Sequence, residues 1–142
     1  MMAKQESRLN MCKVGDIILI DHYIDHGTAI GRHSFIVVSD KNGEIEGCSY
    51  DWVCNVLSSF KNKSQKTRKM SYPGNYEIKN IDTVTNPDDG KDGFVKADQL
   101  YYFNKSKIQY RVIGYVREEV MNELLEFIES GDFPIIDITD NL

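Results

Sequence analysis

The chain has 142 residues, 41% hydrophobic and 27% charged, with 17 Lys plus Arg against 22 Asp plus Glu for a formal charge of −5. That is the composition of a folded, globular, single-domain chain (1–142) rather than a disordered one. Its longest apolar runs, residues 17–20 and 35–38, are strand-sized and far short of the ~20 residues of a membrane helix, and the opening MMAKQESRLNMCKVGD has no apolar signal core, so a cytoplasmic, non-membrane protein is expected.

Lys13-Val14-Gly15-Asp16 reads as a turn that launches a β-branched strand over 17–20 (IILI). Residues 21–31 (DHYIDHGTAIG) carry two glycines and several ionisable groups, which marks a loop. A second buried strand is predicted over 34–39, ended by the turn Asp40-Lys41-Asn42-Gly43. A third runs over 50–57 and holds the only Trp. The stretch 61–69 (KNKSQKTRK) has no apolar face and reads as a solvated loop. Tyr72-Pro73-Gly74-Asn75 is a turn before an extended 76–78, and 86–93 is another loop. Strands are predicted at 94–97 and 109–115. Over 117–130, Val120, Met121, Leu124, Leu125, Phe127 and Ile128 share a helical face, with Gly131 placed to cap the C-terminus. The tail, 132–142, alternates only weakly and reads as mobile. Many short strands and one helix predict a small barrel or half-barrel of five to seven strands.

The charge is segregated. From Arg117 onward one basic residue faces eight acids, a balance of −7, whereas the preceding 116 residues carry +2. Within them Lys61, Lys63, Lys66, Arg68 and Lys69 place five cations in ten residues without an acid. The average charge therefore does not exclude a nucleic-acid partner. Cys12, Cys48 and Cys54 are an odd number without CxxC spacing, which argues against structural zinc and disulfides and for reduced, packed side chains.

Three clusters carry candidate chemistry. Asp21-His22-x-x-Asp25-His26 holds potential metal ligands, but Gly27, Thr28 and Gly31 oppose the helix that would align His22 with His26; no metal or cofactor is expected. Arg32-His33 pairs a guanidinium that can hold a phosphate with an imidazole that can move a proton near neutral pH. RNA cleavage by its own 2′-hydroxyl needs those two services. Ser58-Ser59 leads into the basic stretch, where Lys61, Lys63, Lys66, Arg68 and Lys69 can neutralise phosphates. Phe60, Tyr72 and Tyr76 bracket it and could stack on unpaired bases or belong to the core.

In order and spacing, these segments resemble the MazF/PemK family of toxin endoribonucleases over residues 13–130. KVGDIILID (13–21) resembles the family's opening strand, GRHSFIVVS (31–39) its G-x-R-P block, and NVLSS (55–59) the strand ending in Thr-Ser. YPGNYEI (72–78), ADQL (97–100) and IGY (113–115) follow in the family order. The resemblance implies an SH3-like β-barrel with a C-terminal helix, a homodimer, an antitoxin partner, and cleavage of single-stranded RNA to a 2′,3′-cyclic phosphate without metal.

Carried over residue by residue, the family's Arg-Pro pair falls on His33-Ser34, with Arg32 one position early, and its Thr falls on Ser58. Neighbouring strand residues face opposite sides, so two roles stay open. Either Arg32 supplies phosphate charge assisted by Ser58, or His33 is the acid/base and Arg32 anchors RNA. Ser59, the five basic residues and Tyr72 would bind RNA. Two other classes compete: a non-catalytic SH3-like module binding nucleic acid or an acidic peptide, and a metal-dependent enzyme built on His22, Asp25 and His26.

Overall fold

The computed structural model describes residues 12–142. Residues 1–11, which carry most of the expectation of a chain without a signal core, lie outside them. In chain order the strands are β1 (Asp16–Ile20), β2 (Tyr23–Asp25), β3 (Thr28–Ile30), β4 (His33–Ser39), β5 (Gly43–Ile45), β6 (Cys48–Tyr50) and β7 (Trp52–Ser59). Helix α1 (Lys63–Met70) follows, then β8 (Asn75–Ile78), β9 (Thr83–Thr85), β10 (Gly93–Lys96), β11 (Gln99–Phe103), β12 (Tyr110–Val116), helix α2 (Glu118–Ser130) and β13 (Ile136–Ile138).

Nine strands form one curled half-barrel sheet, ordered β13-β11-β7-β4-β1-β12-β9, with β10 bridging β7 to β8. The chain is thus mainly β with a C-terminal helix, as expected, although the strands outnumber the predicted five to seven. Along its edge away from β4, the long β7 serves two partners. Its first half pairs with β11 and its last three residues with β10. At the corner between them, the buried Asn55 amide donates to Lys96 C=O at 3.2 Å and Gln99 C=O at 2.9 Å. Those carbonyls have no ladder partner at the corner, so the side chain supplies one.

Alternation along the strands divides two apolar cores. Ile18, Ile20, Phe35 and Val37 join Tyr23, Trp52, Cys54, Tyr101, Phe103 and Ile138. Ile17 and Ile36 join Ile78, Val95, Val116 and the helix residues Met121 and Leu124. In the first core the Phe35 ring meets those of Tyr23, Tyr101 and Phe103 edge-on at 4.9, 5.2 and 5.2 Å. Such pairs contribute roughly 0.5–1.5 kcal/mol each beyond area burial. They set a rigid floor.

Several local expectations need correction. The predicted 21–31 loop contains the β2–β3 hairpin, whose two-residue turn places His26 at φ 49° and Gly27 at φ 81°. Two consecutive positive φ values are the turn that matches strand twist. The β5–β6 hairpin repeats it with Glu46 and Gly47 at 54° and 80°. The strand predicted at 50–57 runs two residues later, because Asp51 breaks it from β6. β9 and β11 were not predicted as strands. Gly131 follows α2 with φ −66°, an extended rather than left-handed cap; a Cβ there would lie 2.1 Å from the Phe133 ring. Cys54 is buried, but Cys48 is exposed, not packed.

The tail is not a loose end. β13 pairs in parallel with Gln99–Tyr101, and Ile138 is 3% exposed within the first core. Beyond it, Thr139 donates to the Glu46 carboxylate at 3.0 Å, while Asp140 and Asn141 bond the β2–β3 hairpin. Side-chain bonds to remote loops hold it, and periodicity does not report these.

Candidate functional site

The ladder brings His33 and Ser58 together. Ser34 pairs with Leu57 across β4 and β7, so the preceding and following residues are neighbours on one face. His33 Nε2 lies 3.2 Å from Ser58 Oγ. On the next strand Phe94 is opposite Ser58, and Lys96 follows on the same face. The floor beneath His33 is the aromatic core: its ring centroid is 6.1 Å from Phe35 and 6.3 Å from Tyr23.

Above this row lies a groove of about 480 Å³, walled on one side by α1. Its lining includes Arg32, His33, Ser58, Ser59, Lys61, Gln65, Lys69 and Lys96, with no Asp or Glu. Four cations and a neutral hydrogen-bonding pair give the groove a positive field that attracts anions. Burial foremost, and then the Lys96 ammonium, hold the His33 imidazole below its ordinary 6.5, although Asp25 and a backbone hydrogen bond at Leu57 pull it upward. His33 is therefore neutral at physiological pH, able to accept a proton.

The basic stretch is a helix, not the predicted loop. The Asn62 carboxamide oxygen accepts from Gln65 N–H at 2.8 Å, while Gln65 Oε1 accepts from Lys61 N–H at 2.6 Å. That reciprocal cap, with Arg68 and Lys69 in the last turn, stabilises a helix that buries no residue. Capping substitutes for the missing apolar stripe. The helix sends Gln65 and Lys69 to the groove, with Lys69 Nζ 5.9 Å from the Phe94 ring centroid.

The predicted binding residues divide accordingly. Arg32, His33, Ser58, Ser59, Lys61 and Lys69 line the groove. Lys63 and Arg68 are exposed on α1, and Tyr72 is exposed beyond its end. Lys66 instead pairs with Glu77 at 3.4 Å and sits over Phe60. Phe60 itself stacks on Phe94 at 5.3 Å, and Tyr76 packs on Phe127 while bonding Glu123. Both rings are structural. Gln65, Phe94 and Lys96 were missed, since only strand pairing and the α1 cap reveal that they face His33.

Arg32 sits in a bend before β4 rather than within it, so strand alternation does not set its direction. Its Nε donates to Asp21 Oδ1 at 3.1 Å. In the Asp21–His26 cluster, Asp25 and His26 pair at 2.6 Å where β2 enters its turn, and no helix aligns His22 with His26. Among the described residues, no group of three or more His, Cys, Asp or Glu could hold a metal, and no helix is long and apolar enough to cross a membrane.

Residues 13–130 match the family model described as PemK-like, MazF-like toxin of type II toxin-antitoxin system. No curated protein matches the chain. The family match ends at α2, leaving β13 and the residues that pin the β2–β3 hairpin beyond it.

Proposed function

The chain belongs to the PemK-like, MazF-like toxin family of type II toxin-antitoxin systems, and from that premise we propose that it is an endoribonuclease cutting single-stranded RNA by 2′-hydroxyl attack. The observation that carries the proposal is His33 Nε2 at 3.2 Å from Ser58 Oγ in a groove lined by cations and no carboxylate. Neutral His33 takes the 2′-hydroxyl proton. The freed oxygen attacks phosphorus, the bond from phosphorus to the 5′ oxygen breaks, and that oxygen leaves with a proton from water. The products are a 2′,3′-cyclic phosphate and a 5′-hydroxyl. Lys69 and Lys96 balance the extra charge of the transition state, Arg32 anchors the RNA, and Ser58 orients a phosphate oxygen or the imidazole.

Of the two roles left open at Arg32-His33, this geometry favours His33 as acid/base with Arg32 as anchor. His33 is half-buried beside Ser58, whereas Arg32 is exposed and held by Asp21. The family implies an antitoxin partner, for which the basic groove is a natural seat, and the toxin is proposed to work as a homodimer in the cytoplasm.

The test is incubation of purified protein with a long RNA in EDTA, with analysis of the new ends. Cleavage to cyclic phosphate and 5′-hydroxyl ends, lost in His33→Ala, is expected. RNA binding without cleavage would instead establish the non-catalytic module, a reading that draws on the replacement of the family Arg-Pro pair by His33-Ser34. Cleavage only after added divalent ion would replace the mechanism with a metal-dependent one. Growth arrest on expression, relieved by a cognate antitoxin, is the expected cellular readout.

A further inference from the structure

A second pocket, of about 320 Å³, opens on the far side of Arg32 from α1, where β1 ends and β4 and β12 begin. Asp21, Arg32, Ile108, Gln109, Tyr110 and Arg111 line it, and Arg32 alone lines both this pocket and the His33 groove. The Asp21 N–H donates to Gln109 C=O at 3.0 Å, which ties the two walls together. The Asp21 carboxylate then takes Arg32 Nε at 3.1 Å. Held through Nε, the guanidinium keeps both terminal nitrogens for another acceptor, and among the described residues they have none. Arg111 is exposed and, among the described residues, makes no side-chain hydrogen bond or ion pair. It pairs with Leu19, which pairs with Ser34; this register puts Arg111 on the face of Ser34 rather than that of His33, and Leu19 and Ser34 both line the groove. Two strand spacings separate Arg111 from β4, about 10 Å.

We propose that this Asp21–Arg32–Arg111 pocket is a second phosphate subsite, seating an RNA nucleotide that flanks the one cleaved at His33. The proposal rests on the reading of the groove as an RNA site. Asp21 is its positioning residue: it directs the Arg32 fork and is already paired, so it adds little repulsion. Arg111 supplies the second guanidinium, and bidentate donors of this kind suit a phosphate better than an ammonium does. A strand lying along the groove from Lys69 past His33 meets Arg32 and then Arg111, so the cations form one track across the strand ends. The Gln109 amide lines the same pocket, within reach of a base attached to that phosphate.

The test measures affinity for a 2′-O-methylated RNA oligomer, which cannot undergo 2′ attack, as salt is varied. Each phosphate neutralised on a single strand adds about −0.7 to the slope of log affinity on log salt. Arg111→Ala is expected to flatten the slope by about 0.7 and Arg111→Lys to restore most of it. Lys41→Ala, at the opposite end of β4, is expected to leave it unchanged. An unaltered slope in Arg111→Ala, or equal flattening in Lys41→Ala, would overturn the subsite. Wild-type cleavage of unmodified RNA in EDTA is assayed in parallel. Cleavage without a slope change rejects the subsite alone; a slope change without cleavage supports the subsite and rejects the catalytic reading.

Discussion

Asn141 reads the backbone of Ile24 as a neighbouring strand would: its Oδ1 accepts from Ile24 N–H at 2.7 Å, and its Nδ2 donates to Ile24 C=O at 3.0 Å. The preceding Asp140 takes Gly27 N–H at 2.7 Å. The short β2–β3 hairpin is thus clamped along one edge by residues beyond the family match. Its Tyr23 ring lies against Phe35 and near His33, so the clamp reaches the site through a single aromatic layer.

Asn141→Ala is expected to remove both bonds. The orphaned groups are exposed enough to be rehydrated, so the loss is roughly 1 kcal/mol, or about 3 °C in Tm for a chain this size. Hydrogen exchange localises it: the Ile24 and Gly27 amides accelerate, while those of β1 and β4 do not. Unchanged exchange at Ile24 would show that the clamp contributes nothing. Because the tail bonds the hairpins rather than α1, its removal is not expected to release the basic helix for RNA.

The pH dependence follows from His33. The unfolded chain takes a proton on an ordinary histidine near 6.5, whereas burial and Lys96 push the folded value lower against the opposing pull of Asp25. Between the two values the unfolded state binds more protons, so stability falls as pH drops through that window and is fully retained above 6.5. His33→Gln is expected to flatten this part of the Tm profile. For the proposed RNA cleavage, the acid limb of kcat/KM is expected below 6.5, where His33 becomes protonated. A limb centred above 6.5 would exclude His33 as that base.

The two members of the pair are not expected to be equal. His33→Ala removes the proposed proton transfer and should lower cleavage roughly 10²–10⁴-fold. Ser58→Ala removes one hydrogen bond and should cost about tenfold, with Ser58→Thr restoring most of it. A larger loss in Ser58→Ala than in His33→Ala, measured on one RNA substrate, would reverse the roles.

Legibility in the sequence followed burial. The runs at 17–20 and 35–38 and the apolar face of 118–130 lie in the two cores, so their periodicity survives. α1 has no apolar face, and its cue in the sequence is Asn62 three residues before Gln65, a cap pattern set within a run of charge that equally suits a solvated loop. The β2–β3 hairpin was hidden because His26, not glycine or asparagine, holds the first positive-φ position of its turn. Arg32, His33 and Ser58 were visible as chemistry, but their relation depends on register. Lys96 and Phe94 reach the site only through the β7–β10 pairing, a non-local fact that no window along the chain contains.

The helix cap itself can be tested. Asn62→Ala leaves the Gln65 N–H without its acceptor at 2.8 Å, and cap losses of this kind cost about 0.5–2 kcal/mol. Since α1 buries no residue, the cost should appear as local fraying rather than a lower global Tm. Faster exchange confined to 63–66, together with weaker RNA binding through a less ordered Lys69, is the expected result. A uniform loss of stability would mean that α1 is part of the core.

Gly93 gives the most direct mechanical test of the site. It pairs with Ser59 on β7, and a Cβ added there would lie 2.1 Å from the Ser58 carbonyl oxygen. That contact is with backbone, so no flexible side chain can yield; either β10 separates from β7 or Ser58 moves. Overpacking of this kind costs about 1–3 kcal/mol. At the site, a shift of even a few tenths of an ångström stretches the 3.2 Å contact between Ser58 Oγ and His33 Nε2. Gly93→Ala is therefore expected to lower both Tm and RNA cleavage, with cleavage falling below that of Ser58→Ala because Lys96 and Phe94 ride on the same strand. Gly90→Ala is a control for backbone strain without overpacking, since Gly90 has φ 66° and its added Cβ meets nothing within 4 Å. If Gly93→Ala lowered Tm while cleavage stayed at the wild-type rate at permissive temperature, the alignment of β10 with β7 would have no part in the chemistry.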